Sequence, residues 1–249
     1  MSSPALRQPD SPFRGLASSA VSPVRSGRTV PRWAITSAAL SPVLGTGGWL
    51  IADAFQPASY SPIRDTVSVL ASQAGTDRWI MTGALFLAAG CYLLTAAGLA
   101  SIRRSARILL IIAGLAIIGV ATSPEPASGP TAGHLAWTVL GVVTIAVWPA
   151  FVARRGSPRP LILSVYGSVA VTVVFVGLVC WLLAEAQGGG MVGLAERLTT
   201  SIEASWPFVV ALALRRTTPR TRLHLVAGWP GRGRRPYARV SGKAVFRES

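Results

Sequence analysis

The stretch WIMTGALFLAAGCYLLTAAGLAS, residues 79–101, decides the fold, because it continues for a full membrane thickness without a charged side chain. A helix of about 20 apolar residues crosses the hydrocarbon core of a bilayer. Each such run must be helical, since unpaired backbone polar groups in hydrocarbon cost several kcal/mol. The sequence therefore predicts an all-α, polytopic membrane protein with a bundle of six transmembrane helices, at about 33–53, 79–101, 108–123, 134–152, 161–184 and 197–214.

The composition excludes an ordinary soluble domain. Of the 249 residues, 51% are hydrophobic and 13% are charged, and the net charge is +15. Soluble domains usually contain about 25% charged residues. The two cysteines, Cys91 and Cys180, lie inside apolar runs. A disulfide framework would need more cysteines, in exposed loops.

The basic residues predict how the chain is threaded through the membrane. If the six spans are correct, 21 Lys and Arg residues lie on one side, and three (Arg64, Arg78 and Arg197) lie on the other. Cytoplasmic loops carry the excess of basic residues in membrane proteins. The topology is therefore predicted to be N-in/C-in, with both termini cytoplasmic and the protein in the plasma membrane.

The two ends of the chain are predicted to be disordered, basic cytoplasmic tails, residues 1–32 and 215–249. The first is rich in Ser, Pro and Arg and lacks the apolar core of a signal peptide. Basic residues beside a cytoplasmic span end attract anionic lipid. We therefore expect the lipid bilayer and anionic lipid headgroups as partners of the tails, and no nucleic acid.

A polar cluster, SYSPIRDTVSVL at residues 59–70, lies between the first two spans. Ser61 followed by Pro62 is typical of a helix start, and Gly75 of a helix stop. Apolar residues recur between them at helical spacing, which predicts an amphipathic loop helix at about 62–74. Arg64 and Asp65 are adjacent and do not face each other on a helix. Arg64 therefore needs another acid, with Asp53, Glu125 and Glu203 as candidates. Three interpretations stay open: a hydrogen-bonded plug over the bundle mouth, a ligand site, or a solvated loop.

The stretch PASYSPIRDTVSVLAS, followed by the span that begins at Trp79, resembles an uncharacterised family of bacterial six-span membrane proteins, the domain-of-unknown-function family numbered 998. The resemblance includes the turn TSPEPASG before His134 and covers about residues 33–215. It implies the same topology and no particular activity. It points to Tyr60, Arg64, Asp65, Ser68 and His134 as candidate site residues.

Glu203 in the sixth predicted span is the remaining candidate, because ionisable groups at membrane depth are costly and usually functional. The leading hypothesis is an outward-facing polar pocket, lidded by the loop helix and lined by Arg64, Asp65, His134 and Glu203. It would bind a lipid headgroup or small polar ligand, with Arg64 as the anion contact and no cofactor.

The alternatives are a proton-coupled secondary transporter that uses Glu203, and a lipid-modifying enzyme in which His134 activates a serine. The histidine spacing is not that of a zinc site. The enzyme hypothesis requires a serine oxygen within hydrogen-bond reach of His134.

Overall fold

A computed structural model describes residues 29–153 and 160–217 of the chain. The predicted tails fall mainly on residues 1–28 and 218–249, which lie outside the described residues. The described part is all-α, as predicted, and contains no strand. Its helices are α1 Arg32–Asp53, α2 Val67–Leu70, α3 Trp79–Gly98, α4 Arg104–Thr122, α5 Ala132–Val152, α6 Val165–Glu185 and α7 Val192–Thr217. A 3-10 turn at Leu161–Leu163 precedes α6.

Five of these helices, α1, α3, α4, α5 and α6, are long and apolar enough to cross a membrane. The chain is therefore a multi-pass membrane protein. The sixth predicted span, 197–214, falls within α7, which is not among the five. This helix is the most polar of the long helices, since Glu196, Arg197 and Glu203 interrupt its apolar residues.

Small side chains form much of the contact between the helices. Ala34 of α1, Ala96 of α3, and Ala106 and Ala113 of α4 are fully buried. Small residues let helix backbones approach closely, which favours association in lipid. The large exception is Trp148 of α5, which is fully buried and whose indole N–H donates to the carbonyl of Ala106 at 2.8 Å. This hydrogen bond explains how a polar indole is accommodated in the apolar core.

Three connecting segments meet at one end of the bundle, which we call the loop face. They are residues 54–78, 123–131 and 186–191. The backbone N–H of Gln73 donates to the carbonyl of Glu125 at 2.8 Å, which joins the first segment to the second. The N–H of Leu194, at the start of α7, donates to the carbonyl of Ile63 at 3.1 Å. The first segment is therefore fixed on the helix ends.

The predicted loop helix at 62–74 is wrong in extent, because the helix covers Val67–Leu70 alone. Side chains of α7 form hydrogen bonds with the backbone groups that a longer helix would pair within itself. Arg197 binds the carbonyls of Pro62 and Asp65, and Glu196 accepts the N–H of Val67. The sequence signals of a helix start could not reveal these contacts, since α7 is distant in sequence.

Candidate functional site

Arg197, near the start of α7, donates hydrogen bonds to backbone carbonyls of the polar cluster at residues 59–70. The side chain is only 5% exposed. Its Nη1 donates to the carbonyls of Pro62 at 2.7 Å, Asp65 at 2.8 Å and Gly193 at 3.1 Å. Hydrogen bonds from a charged donor are stronger than neutral ones. This side chain therefore fixes the segment to α7.

The charge of Arg197 is compensated by Asp53, at the end of α1. Nη2 lies 3.1 Å from Asp53 Oδ1 and also donates to the Tyr60 hydroxyl. The guanidinium carbon lies 5.2 Å from the centre of the Trp49 ring, within the range of a cation–π contact. Burial and a hydrogen bond to Asp53 raise the pKa of Tyr60, so this phenol stays neutral. We call Arg197, Asp53 and Tyr60 the arginine clamp.

The clamp needs a glycine at position 193. A Cβ atom there would lie 2.2 Å from the carbonyl oxygen of Asp65 and 2.7 Å from that of Pro62. Real side chains do not make such contacts with backbone, so a larger residue would push the segment away from α7. Gly193 thus permits the short distances between Arg197 and the two carbonyls.

A second group of side chains, which we call the histidine cluster, consists of Glu125, His134, Ser68 and Glu196. His134 Nε2 lies 3.1 Å from Glu125 Oε1 and 3.0 Å from Ser68 Oγ. The Ser68 hydroxyl lies 3.5 Å from Glu196 Oε1, and the other oxygen of Glu196 accepts the N–H of Val67 at 2.7 Å. The four side chains therefore form a continuous chain of polar contacts.

The position of one proton in this cluster follows from the contacts of His134. Its Nδ1 lies 2.8 Å from the carbonyl oxygen of Ser123, which can only accept, so Nδ1 carries a hydrogen. Nε2 and the Glu125 carboxyl then share a proton, since two bare acceptors would not stay 3.1 Å apart. Burial raises the pKa of Glu125, and the adjacent His134 opposes this shift.

A cavity of about 160 Å³ lies below the histidine cluster, among α1, α3, α4, α5 and α7. Ser68 and Glu196 line it as well, so the cluster and the cavity are continuous. Most of its wall is apolar. The remaining part includes the side chains Ser41, Thr46, Trp49, Tyr92, Trp137, Thr138, Thr200, Ser201 and Glu203.

Among the buried polar atoms at this cavity that have no hydrogen-bond partner in the described residues are Oε1 of Glu203, Nε1 of Trp49 and Oγ1 of Thr138. Glu203 is 3% exposed. Buried polar groups in native proteins are nearly always satisfied, so each exception calls for an explanation. An oxygen, an N–H and a hydroxyl without partners around one cavity are the groups that a ligand would contact.

The predicted site residues fall into separate places rather than into one pocket. Tyr60 belongs to the arginine clamp, Ser68 and His134 belong to the histidine cluster, and Glu203 lines the cavity. Asp65 contributes its carbonyl to Arg197, while its carboxylate accepts the N–H of Ser61 at 2.7 Å.

Arg64, by contrast, is exposed, and its guanidinium contacts no hydrogen-bond or ion-pair partner within residues 29–153 and 160–217. One of the three acids that the sequence offered to Arg64, Asp53, binds Arg197 instead. The sequence hypotheses gave no role in the site to Glu196 or Arg197. A signal was present, since residues 196 and 203 are two helical turns apart and share one face.

A metal site has no support in the described residues, where no group of three His, Cys, Asp or Glu side chains could hold an ion. His134 has its two nitrogens in hydrogen bonds, as the preceding contacts show.

Apolar helices of membrane-spanning length around a cavity with a buried carboxyl define an integral membrane protein. The chain belongs to the family described as Protein of unknown function (DUF998), whose sequence model matches residues 38–213. The resemblance expected from the sequence is thus confirmed. No curated protein and no solved structure matches the chain.

Proposed function

We propose that this membrane protein binds a small organic cation in the cavity below the histidine cluster, with Glu203 as the opposing charge. The observation that carries the proposal is the Glu203 Oε1 atom, which is buried at the cavity and has no partner among the described residues. An unpaired carboxylate at membrane depth is costly. Either a proton or a ligand's positive charge would offset this cost.

The cavity wall supports a ligand with a positive group and an apolar body. Trp49, Trp137 and Tyr92 line the cavity, and aromatic rings attract ammonium groups. The apolar part of the wall suits a hydrocarbon body. A cavity of about 150 Å³ in another protein holds benzene. At about 160 Å³, this cavity would take a body the size of one aromatic ring.

The arrangement in the membrane is part of the proposal. We infer that α7 is a sixth span, because its 26 residues extend about 39 Å at 1.5 Å per residue. The excess of Lys and Arg on the opposite side supports a loop face outside the cell, with both termini in the cytoplasm and the protein in the plasma membrane. The cavity would then open toward the outside through the histidine cluster.

A matched pair of ligands tests the proposal, with the protein in lipid nanodiscs. Benzylamine is the cationic probe, and benzyl alcohol is its neutral analogue of similar shape. Calorimetric titration should give tighter binding of benzylamine, and Glu203→Gln should weaken it about tenfold or more, or about 1.4 kcal/mol. Glu185→Gln, which changes a carboxyl outside the cavity lining, is the control and should leave the affinity unchanged.

Two glycine variants test the location of the site. Gly45 lines the cavity, and a Cβ added there meets nothing within 4 Å. Gly45→Leu should therefore fill the cavity and abolish binding without a backbone clash. Gly90 is equally uncrowded and does not line the cavity, so Gly90→Leu should bind like wild type. Equal affinities for the two ligands, or binding that Gly45→Leu leaves intact, would contradict the proposal.

A lipid-modifying enzyme is a second candidate, because Ser68 Oγ lies 3.0 Å from His134 Nε2. This is the contact of a serine nucleophile with its base. However, Glu125 also contacts Nε2, and the proton they share would keep that nitrogen from accepting the serine proton. A fluorophosphonate probe decides: labelling that disappears in Ser68→Ala would favour the enzyme, and no labelling would count against it.

The hypothesis of a lipid-headgroup contact at Arg64 remains a prediction. An exposed guanidinium on the loop face could bind a phosphate without the cavity. Arg64→Ala should then reduce binding of vesicles rich in phosphatidylglycerol and leave benzylamine binding unchanged.

A further inference from the structure

We infer that the histidine cluster is a proton path from the loop face to the cavity, through which the proton on Glu203 leaves when a cation binds. The path stands on the geometry of Glu125, His134, Ser68 and Glu196. The exchange of a proton for a cation rests on the proposed function.

The path begins at the loop face and ends at the cavity. Glu125 belongs to segment 123–131 of the loop face, and its side chain keeps 10% of its surface exposed. The successive contacts are 3.1 Å from Glu125 to His134, 3.0 Å from His134 to Ser68, and 3.5 Å from Ser68 to Glu196. The last is the longest step. Ser68 and Glu196 also line the cavity.

Each group can pass a proton outward and return to its starting state. Glu125 first releases to the solvent the proton that it shares with His134, which leaves Nε2 free to accept. Glu196, once it has taken up a proton from the cavity, gives it to the Ser68 oxygen, while the Ser68 hydroxyl gives its own hydrogen to His134 Nε2. The imidazolium then shares this proton with the Glu125 carboxylate, so the cluster is restored and one proton has left. Nδ1 keeps its hydrogen and donates it to the Ser123 carbonyl throughout, which keeps the ring oriented.

The remaining distance lies along α7. Glu203 follows Glu196 by seven residues, which is two helical turns or about 10.5 Å. Thr200 lies between them on the same side and lines the cavity. A cavity of about 160 Å³ is large enough for several water molecules, at about 30 Å³ each in the liquid. Water and the Thr200 hydroxyl would therefore complete the transfer.

Other charged and titratable groups near the path are few in the described part of the chain. Tyr92 of α3 lines the cavity together with Glu203. Arg197 lies beside Glu196 and is bound to Asp53 and Tyr60, so its charge is already opposed. When a cation binds, the Glu203 carboxylic acid becomes a carboxylate paired with the cation, and one proton is released. The charge within the cavity is the same before and after.

Infrared spectroscopy of the ligand-free protein in nanodiscs tests the path directly. The difference between wild type and Glu203→Gln identifies the carbonyl band of the protonated Glu203 carboxyl. Transfer into D₂O shifts this band, and the rate of the shift measures proton access. Ser68→Ala should slow the exchange by about 100-fold, the lower end of the contribution of a positioned proton-transfer group.

Two further variants separate the path from a general loss of structure. Ser68→Thr retains the hydroxyl and should restore the fast exchange. Ser72→Ala removes a buried hydroxyl of the same segment that contacts the Ala74 N–H instead of the cluster, and it should exchange like wild type. An exchange rate in Ser68→Ala equal to that of wild type would overturn the path. So would a spectrum in which Glu203→Gln removes no carboxylic acid band at any pH.

The exchange for a cation has its own readout. The benzylamine dissociation constant should rise about tenfold for each pH unit lowered, over the range in which the amine stays protonated, and Glu203→Gln should abolish this dependence. Tight binding without pH dependence would refute the exchange and leave the proposed function standing. If benzylamine does not bind at all, the proposed function fails, and the infrared rates still decide whether the path exists.

Discussion

Replacing Arg197 by methionine should destabilise the protein more than any other change of an arginine in the described residues. The guanidinium makes hydrogen bonds to three carbonyls, to Asp53 and to Tyr60, and it is 5% exposed. Methionine fills much of the same volume and makes none of these bonds. The change therefore isolates the polar contacts of the arginine clamp.

The magnitude follows from what is left behind. Breaking a buried ion pair by removal of one partner costs about 3–5 kcal/mol, because the other charge is stranded. Asp53 is the stranded charge here, and its side chain is 17% exposed, which moderates the cost. The carbonyls of Pro62 and Asp65 lose their donor, at about 1 kcal/mol each. We expect a total loss of about 3–5 kcal/mol in the free energy of unfolding.

Reversible unfolding in mixed micelles, followed by tryptophan fluorescence, measures this loss. Arg64→Met is the matched control, since Arg64 is exposed and should change stability by no more than about 0.5 kcal/mol. The double variant Asp53→Asn with Arg197→Met should cost less than the sum of the single changes, by about 0.5–3 kcal/mol. Equal losses in Arg197→Met and Arg64→Met would refute the clamp, and additive losses in the double variant would refute the ion pair.

Two further predictions concern the segment that the clamp holds and the cluster beside it. Gly193→Ala should destabilise the protein, because the added Cβ would lie 2.2 Å from the Asp65 carbonyl oxygen. Gly90→Ala has open space around the added Cβ and should stabilise α3 by up to about 1 kcal/mol. Thermal unfolding in nanodiscs compares the two variants, and equal effects on stability would contradict the close approach at Gly193. The raised pKa of Glu125 means that the native protein holds this proton more tightly than the unfolded chain, so its contribution to stability is complete below the ordinary value of about 4.3 and is lost as the pH rises through the native pKa. Melting temperatures measured against pH should therefore fall with rising pH less steeply in Glu125→Gln than in wild type, and an unchanged slope would show that Glu125 is not responsible.

The long helices could be predicted from the sequence because each one can be recognised from its own apolar composition. An apolar run of membrane-spanning length needs no information about its neighbours, so five predicted spans coincide with helices to within a few residues. The short helix at Val67–Leu70 was predicted too long for the opposite reason. Its extent depends on Glu196 and Arg197, which lie more than a hundred residues away in sequence.

The candidate site shows the same division between local and distant causes. The sequence identified polar residues that are unusual in an apolar chain, and the structure places Ser68 beside His134 in the histidine cluster and Glu203 at the cavity below it. It could not decide which arginine binds Asp53. Arg64 and Arg197 carry the same charge and lie on the same predicted side. In the structure Arg197 binds Asp53, and Gly193 permits the backbone of residues 62–65 to lie within reach of the same guanidinium.

The polarity of α7, which excludes it from the apolar helices, is distributed in a way that supports a sixth span. Buried residues recur along it three or four positions apart, at Gly193, Glu196, Thr199, Glu203 and Pro207, whereas Leu198 and Ile202 on another side are exposed. Residues at this spacing share one face of a helix. The polar groups therefore face the clamp, the cluster and the cavity, while apolar side chains face outward. A helix of this kind is costly for lipid to accept alone, and its polar face becomes tolerable once the other helices surround it. The same face supplies Arg197 to the clamp, Glu196 to the cluster and Glu203 to the cavity, so a displacement of α7 along its axis would alter all three together.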